Sequence, residues 1–401
     1  MKILLVEPLG DGGIAHYTYN LANSLATEGC DISLFTSYSY ELETRICHFE
    51  RHQLMFRIAF KLIHRFPSLA NERGIYNVIR RFLKLIEYPF NVLKIIQYAQ
   101  KRRIGIIHIQ SINEIELLLI ASLRLTGFLI VFTVHNVFPR HGQLLFYHKY
   151  VYRFMYYLCH QIIIHTWSGK KQLIDFFLVK GQKISVIPHG NYNFFVPSFS
   201  ESGKFAREKL GLGLADKVVL FFGAIRPNKG LKTLLLAISL LKESLSNIKL
   251  LIAGEPCENF NRYRHIINHE KLDKIVLTKL EYIKNDDVAM YFSAADLVAL
   301  PYHEVTGSGV LHIAYAFGKP VVATNLDGFK ESIVDGKNGY LVPDNDPLSL
   351  AKSIKEILQN SNKRQQMGHF SQHLSQSVYS WPNIAKATKS VYEKIMFCRV
   401  H

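Results

Sequence analysis

The stretch HEVTGSGVLHIAYAFGKPVVAT, residues 303–324, sets glycines, hydroxyls and the start of an apolar helix side by side. Its spacing predicts a strand ending near Tyr302, a turn over Thr306-Gly307-Ser308-Gly309 and a helix from about Val310 to Phe317. A helix start presents backbone N–H groups that lack intrahelical partners, and its dipole favours anions. Gly307 and Gly309 let a diphosphate approach the backbone, while Ser308 caps the helix or donates to a phosphate oxygen. A plain strand-to-helix turn accounts for the same residues equally well. A second segment bears on the choice: FFGAIRPNKGLKTLLLAISLL, residues 221–241, puts Arg226 and Lys229 in the loop after another strand. Two cations there would neutralise a phosphate held at Gly307 to Val310. For either side chain alone, an ordinary basic surface loop is the plainer alternative.

Such a site needs strands to carry its loops, and the chain alternates strands with helices. In the first half the expected strands are residues 2–7, 31–37, 104–110, 128–136, 160–166 and 183–190, with a helix from about Ile14 to Thr27 and a basic helical insert over about 48–103. In the second half they are residues 217–225, 248–256, 274–283, 296–302, 320–325 and 339–343, with helices such as 231–243 and 286–294. Runs as apolar as IGIIHIQ and FLIVFTVHN suit parallel strands buried on both faces. Residues 191–215 lose this rhythm, and the linker is expected there. The expected fold is α/β: two doubly wound Rossmann-like domains, 1–195 and 196–379, facing an interdomain cleft, with ligands outside the carboxyl ends of the strands. In the last segment Trp381, Ile384, Ala385, Thr388, Val391, Tyr392 and Ile395 share one helical face, so residues 380–401 are expected to form a helix returning to the first domain.

At 401 residues and 48% hydrophobic content, two domains can each bury a core. Cys30, Cys47, Cys159, Cys257 and Cys398 are odd in number and widely spaced, which argues against a disulfide framework or a zinc site and fits a reducing cytoplasm. Met1-Lys2 leads straight into ILLVE, a strand rather than a signal core, so the mature protein is expected to start here. No apolar run approaches the ~20 residues of a spanning helix. The formal net charge is +16, and residues 1–195 hold 22 Lys and Arg against 12 Asp and Glu, a surplus of ten that leaves six for the remainder. Residues 51–103 carry twelve of these bases, interleaved with Phe56, Phe60, Phe66, Ile79, Phe82, Ile86, Phe90 and Ile95. That is a pattern of amphipathic helices on an anionic bilayer surface. Helices packed on a core with solvated basic faces fit it as well. No nucleic-acid module accompanies the charge, so no nucleic acid is expected as partner. His160 and His165 lack a complete ligand set, no carboxylate-rich metal motif is present, and neither metal nor cofactor is expected.

Together DGGIAHYTYNLANSLATEG, GAIRPNKG, IAGEP, YFSAADLVALPY and GSGVLHIAYAFGKPVVATNLDGFKESIVDGKNGYLVP resemble, in order and across essentially the whole chain, the retaining glycosyltransferases of family 4 (glycosyltransferase group 1), which have the two-domain GT-B fold. The resemblance implies that Lys229, and less directly Arg226, hold the diphosphate of a nucleotide sugar; the commonest pattern puts the arginine directly after the glycine, where this chain has Ala224. It implies that the loop Gly10-Asp11-Gly12-Gly13 lies over the donor phosphates and sugar, with a tight turn as the structural alternative. TVHN, 133–136, resembles the end of a family strand whose histidine faces the transferred sugar, which nominates His135, with Asn136 beside it. Asp327-Gly328 and Glu331 match a loop that closes on the sugar, where Glu331 contacts a hydroxyl or serves as an acid at a helix N-terminus. His16 is an acceptor-side candidate, a solvated helix position being the alternative, and His189-Gly190 match the segment entering the hinge. The family's two glutamates, eight positions apart, are where this chain departs from the pattern. The second, at the ribose, falls on Ile313. The first is Glu304 if the turn holds one extra residue, and is otherwise replaced by Val305.

The implied activity is retaining transfer of a hexosyl group from a nucleotide diphosphate sugar to a lipid-linked or polysaccharide acceptor, in biosynthesis of a surface polysaccharide or lipopolysaccharide. The expected location is cytoplasmic, peripheral on the inner face of the plasma membrane. In the family the donor's own phosphate takes the acceptor proton, so the protein positions and stabilises the departing diphosphate. His135, Glu304, Lys229 and Arg226 are the catalytic candidates; Gly12, Gly13, Thr306, Gly307, Ser308, Gly309, Val310 and Glu331 join Arg226 and Lys229 at the donor, and His16 and Asn136 stand on the acceptor side. A sugar-nucleotide epimerase of the same fold and a non-catalytic binding subunit, the latter motivated by Ile313, are the alternatives. No motif encodes the donor sugar, the base, the acceptor or the linkage.

Overall fold

A computed structural model describes residues 1–65, 73–111, 113–137, 146–197, 203–305 and 307–400. They divide into two compact units, Met1–His189 with Trp381–His401, and Gly190–Ser380.

In the first unit the strands are β1 (Lys2–Glu7), β2 (Asp31–Ser37), β3 (Glu50–Met55), β4 (Ile106–Ser111), β5 (Leu129–Val134), β6 (Gln161–Ile164) and β7 (Ile184–Val186). They form one parallel sheet in the order β3-β2-β1-β4-β5-β6-β7. All six residues of β4 and of β5 are buried, as continuous apolar runs between two helical layers require. The insert is not wholly helical, as had been expected: β3 comes from it. ERHQLM is half-exposed at the sheet edge, where one free side tolerates a polar strand and hides the signal of a buried one. Of its other described residues, Arg57–Arg65 and Arg73–Arg102 form helices. The C-terminal helix Trp381–Val400 belongs to this unit: Trp381, Ile384, Ala385, Val391, Tyr392 and Ile395 join the cluster that holds Ile3, Leu5, Ala15 and Tyr17.

The second unit holds β8 (Lys217–Phe222), β9 (Ile248–Ala253), β10 (Val276–Lys279), β11 (Leu297–Leu300), β12 (Val321–Thr324) and β13 (Gly339–Val342), parallel in the order β10-β9-β8-β11-β12-β13. The chain enters this unit at Gly190, six residues before the expected boundary at 195/196. The reason is packing. Tyr192 and Phe195 are buried with Leu311 and Ile313, and Asn191 is tied by its backbone N–H to the Tyr379 carbonyl (2.8 Å) and by Nδ2 to the Ser375 carbonyl (2.7 Å). Of the expected linker, residues 203–209 are helical, and Arg207 pairs with Asp296 at 2.8 Å.

Candidate functional site

In the second unit β8 has β9 on one side and β11 on the other, so strand order reverses between β8 and β11. Loops diverge at such a point and open a crevice beyond the carboxyl ends. The β8 loop carries Arg226, then a 3-10 turn, Pro227–Lys229, closed by Gly230 in the left-handed region (φ +67°). A Cβ on Gly230 would stand 1.7 Å from the Pro301 carbonyl oxygen, so only glycine lets this loop close on the one after β11. The His303 N–H donates to the Asn228 carbonyl (2.9 Å), and Asn228 Nδ2 donates to Glu304 Oε1 (3.1 Å). Lys229 Nζ lies 3.5 Å from the centroid of the Tyr302 ring, a cation–π distance. Tyr302 is buried, and its hydroxyl has no hydrogen-bond partner among the described residues. Neither Arg226 nor Lys229 pairs with a described carboxylate.

The helix Gly309–Ala316 starts beside this loop, since a Cβ on Gly223 would meet Val310 Cγ2 at 3.6 Å. Ser308 caps it: its Oγ accepts the Leu311 N–H at 3.4 Å. Gly307 is exposed, and a side chain there would meet nothing within 4 Å, whereas a Cβ on Gly309 would stand 3.0 Å from the Tyr192 hydroxyl. Thr306 lies outside the described residues. Glu304 is exposed and turned to Asn228, and Ile313 is a core residue. Glu331 follows the short helix Asp327–Lys330 as its C-cap, so the reading of it as an N-terminal acid is corrected: Asp327 occupies that place.

In the first unit the glycine loop is held from below by two carboxylates. Glu7 ends β1 fully buried; its Oε1 accepts the N–H groups of Leu9 (2.8 Å) and Gly10 (3.0 Å), and its Oε2 accepts the Thr36 hydroxyl (2.9 Å). Burial pushes this carboxyl up to about 7, against the opposing pull of those donors. Gly10 is left-handed (φ +81°), and a Cβ would lie 2.2 Å from the Ser39 carbonyl oxygen. Gly12, first residue of the helix Gly12–Thr27, donates its N–H to Glu41 Oε2 (2.8 Å), and Gly13 is exposed. His16 is not solvated: it is buried, because every residue from Ile14 to Tyr19 faces inward, and its Nε2 lies 3.8 Å from Glu41 Oε2.

His135 and Asn136 follow β5, both half-buried. Both ring nitrogens of His135 are engaged: Nε2 is 2.8 Å from Gln110 Oε1, and Nδ1 is 3.2 Å from His165 Nε2. His165 Nδ1 donates to the Ile187 carbonyl (3.0 Å). The Tyr17 ring packs on His135, His165, His189 and Trp381 at centroid distances of 5.0, 5.0, 5.1 and 5.3 Å. Sequence reasoning missed Gln110, Glu41 and Tyr302, and gave His165 no role beyond the absence of a ligand set. For His108 and Gln110 a signal exists: two polar residues at a spacing of two among the isoleucines of IIHIQS share one face of a buried strand.

The insert places its aromatics on two faces. Phe56 and Ile95 are buried, and Lys84 lies over the rings of Phe56 and Phe60 at 4.7 and 4.8 Å. On the other face of the long helix Val78, Phe82, Leu85, Ile86, Phe90 and Leu93 are all more than half exposed, next to exposed Arg81 and Lys94. Phe66 lies outside the described residues. Among those described, no helix is long and apolar enough to cross a membrane.

Two family models match the chain: Glycosyltransferase Family 4 over residues 11–190, and Glycosyl transferases group 1 over residues 203–373. A D-inositol 3-phosphate glycosyltransferase of Corynebacterium diphtheriae is 27% identical over 237 residues, which cover 58% of this chain and 55% of that protein. The chain spans about half the length of the curated relatives it matches. Among solved structures, sucrose-phosphate synthase of Thermosynechococcus elongatus superimposes with a TM-score of 0.75 at 20% identity, covering 99% of this chain and 100% of that one. HepE of Anabaena, in complex with UDP, superimposes with a TM-score of 0.72 at 18% identity, covering 98% and 100%. The two parallel-sheet units and the returning C-terminal helix make the fold GT-B.

Proposed function

The chain belongs to the glycosyltransferases of group 1 and family 4, and from that premise we propose that it moves a hexosyl group from a nucleotide diphosphate sugar to an acceptor, with retention at the anomeric carbon. The observation that carries this reading is the pair Arg226 and Lys229, set at the switch point of the second sheet beside the start of Gly309–Ala316. A diphosphate supplies the charge that these cations lack and accepts from the helix N–H groups. UDP bound to HepE, a protein of the same fold, supports the ligand class. In the reaction the bond from the anomeric carbon to the diphosphate breaks. The acceptor oxygen bonds to that carbon on the same face, and its proton passes to the departing phosphate. Arg226 and Lys229 stabilise the charge left on the diphosphate, and His135 faces the sugar. The chemistry needs no metal in this reading. Two cations do the neutralising.

The acceptor is lipid-linked, or a growing polysaccharide, at the inner face of the plasma membrane, in synthesis of a surface glycan such as lipopolysaccharide. Support comes from the exposed apolar stripe Val78 to Leu93 with its flanking bases, an arrangement that lies on anionic lipid. The decisive experiment is a thermal-shift panel of nucleoside diphosphates and their sugars. A raised midpoint with one nucleotide, lost in Lys229→Ala, is expected together with acceptor-dependent transfer of labelled sugar. If no nucleotide shifts the midpoint, the donor assignment fails. Flotation with anionic vesicles at low and high salt tests the membrane; indifference to lipid charge and to salt removes that part.

A further inference from the structure

Behind His135 a file of buried polar groups crosses the first sheet. Tyr392 Oη is 2.6 Å from His108 Nδ1, and His108 Nε2 is 2.7 Å from Thr133 Oγ1 and 3.0 Å from Gln110 Nε2. Gln110 Oε1 then meets His135 Nε2 at 2.8 Å, and His135 Nδ1 meets His165 Nε2 at 3.2 Å. The protons can be placed from the far end. A carbonyl oxygen only accepts, so His165 carries its proton on Nδ1, toward Ile187. Burial, with His189 adding, holds His165 down at about 3, so its Nε2 is bare and the proton between the two histidines sits on His135 Nδ1. At the other nitrogen two arrangements close. With the Gln110 carbonyl facing it, His135 Nε2 must carry a proton too, and the ring is an imidazolium. With the amide turned over, the Gln110 NH2 donates to a bare Nε2, its carbonyl accepts from His108 Nε2, and Tyr392 donates to His108 Nδ1. His108 is neutral in both, since burial holds it at about 3. Among the described residues, titratable side chains packed on the His135 ring include His165 at Nδ1 and Tyr17 at its edge; burial raises the Tyr17 hydroxyl far above its ordinary value, which keeps it neutral.

We propose that Gln110 and His165 are positioning residues for His135: they engage both ring nitrogens from within the protein, His165 keeps the Nδ1 proton in place, and the Gln110 amide serves the ring in either protonation state by turning over. The proposal rests on the reading of His135 as the histidine that faces the transferred sugar. Its consequence is that the ring shapes and charges the surroundings of the sugar and does not carry the acceptor's proton. A carboxylate at position 110 can only accept and would lock the imidazolium; an apolar residue would serve neither form.

The test is 15N NMR of the whole protein labelled at histidine, with His135 assigned by its loss in His135→Gln. The expected wild-type signal keeps Nδ1 protonated throughout, with only Nε2 titrating. Gln110→Glu should move that titration upward by at least tenfold in proton concentration, and Gln110→Met, which leaves an imidazolium Nε2–H without an acceptor, should move it downward with Nδ1 still protonated against His165, while lowering kcat more than it raises KM. An unchanged titration in both variants would overturn the proposal. Should the Glu variant fail to fold, the Met variant alone decides by the direction of its titration shift. If the NMR changes appear but kcat does not move, positioning stands and the placement of His135 at the sugar falls instead.

Discussion

The carboxyl ends of the two sheets are built on opposite principles. In the first unit the polar groups at the site bond to one another within the protein: Glu7 and Glu41 hold the glycine loop, and Gln110 and His165 hold His135. In the second unit Arg226 and Lys229 are half-exposed, and the Lys229 ammonium rests on an aromatic face. One architecture thus serves two tasks. A satisfied network fixes geometry because breaking any bond strands a buried polar group, whereas an uncompensated cation stores its interaction for an anion that arrives later.

The sharpest way to break that contrast is to empty the second unit of its charge. Arg226→Ala with Lys229→Ala should lower turnover 10²–10³-fold, about 3–4 kcal/mol, and abolish the nucleotide-induced thermal shift, while the histidine NMR signals of the first unit stay where they are. A double variant that still binds the nucleotide would dissolve the distinction. Next comes Ile384→Ala, on the C-terminal helix and buried in the first unit. It should cost about 2–5 kcal/mol and, in calorimetry, lower the transition of the first unit alone.

The two units should also answer pH with opposite sign. Burial raises Glu116, bonded to Tyr88 and to Ser111, from 4.5 to about 7. The fold therefore prefers the protonated carboxyl; its contribution is whole below pH 4.5 and lost as pH rises to 7. Glu116→Gln, neutral throughout, should gain on wild type across that window by up to about 3 kcal/mol. Lys319 in the second unit is lowered by burial from 10.5 to about 8. Its contribution is whole above pH 10.5 and lost as pH falls to 8, so Lys319→Met should gain on wild type in the downward direction. Chemical denaturation of each variant across pH reads both slopes.

The smallest expected effect is at Tyr302. Because its hydroxyl has no partner among the described residues, Tyr302→Phe should leave nucleotide affinity within about twofold, while Tyr302→Leu removes the ring face under Lys229 and should weaken it by about 1 kcal/mol. Equal losses in both variants would show that the hydroxyl, not the ring, matters.

Much of this was legible in the residues. Continuous apolar runs marked the buried strands, and GSG before an apolar helix together with RPNKG marked where charge and free N–H groups gather. β3 was not legible, because an edge strand needs only one buried side and ERHQLM is polar enough to pass for helix or loop. The place of Glu331 was missed because a helix of four residues, Asp327–Lys330, ends before a reader of patterns expects it to. His16 looked solvated because the helix after the glycine loop is buried on more of its circumference than amphipathic spacing allows.

The chain by itself determined the alternation of strand and helix, the glycines at its tight turns, and the cations at the β8 loop, since each depends on a residue type and its near neighbours. Only the tertiary structure decided that Gln110, His165 and Tyr392 stand in line with His135, and that Lys229 rests on Tyr302. Those contacts join residues far apart along the chain, and local pattern carries no information about which distant side chains a sheet will bring within hydrogen-bonding reach.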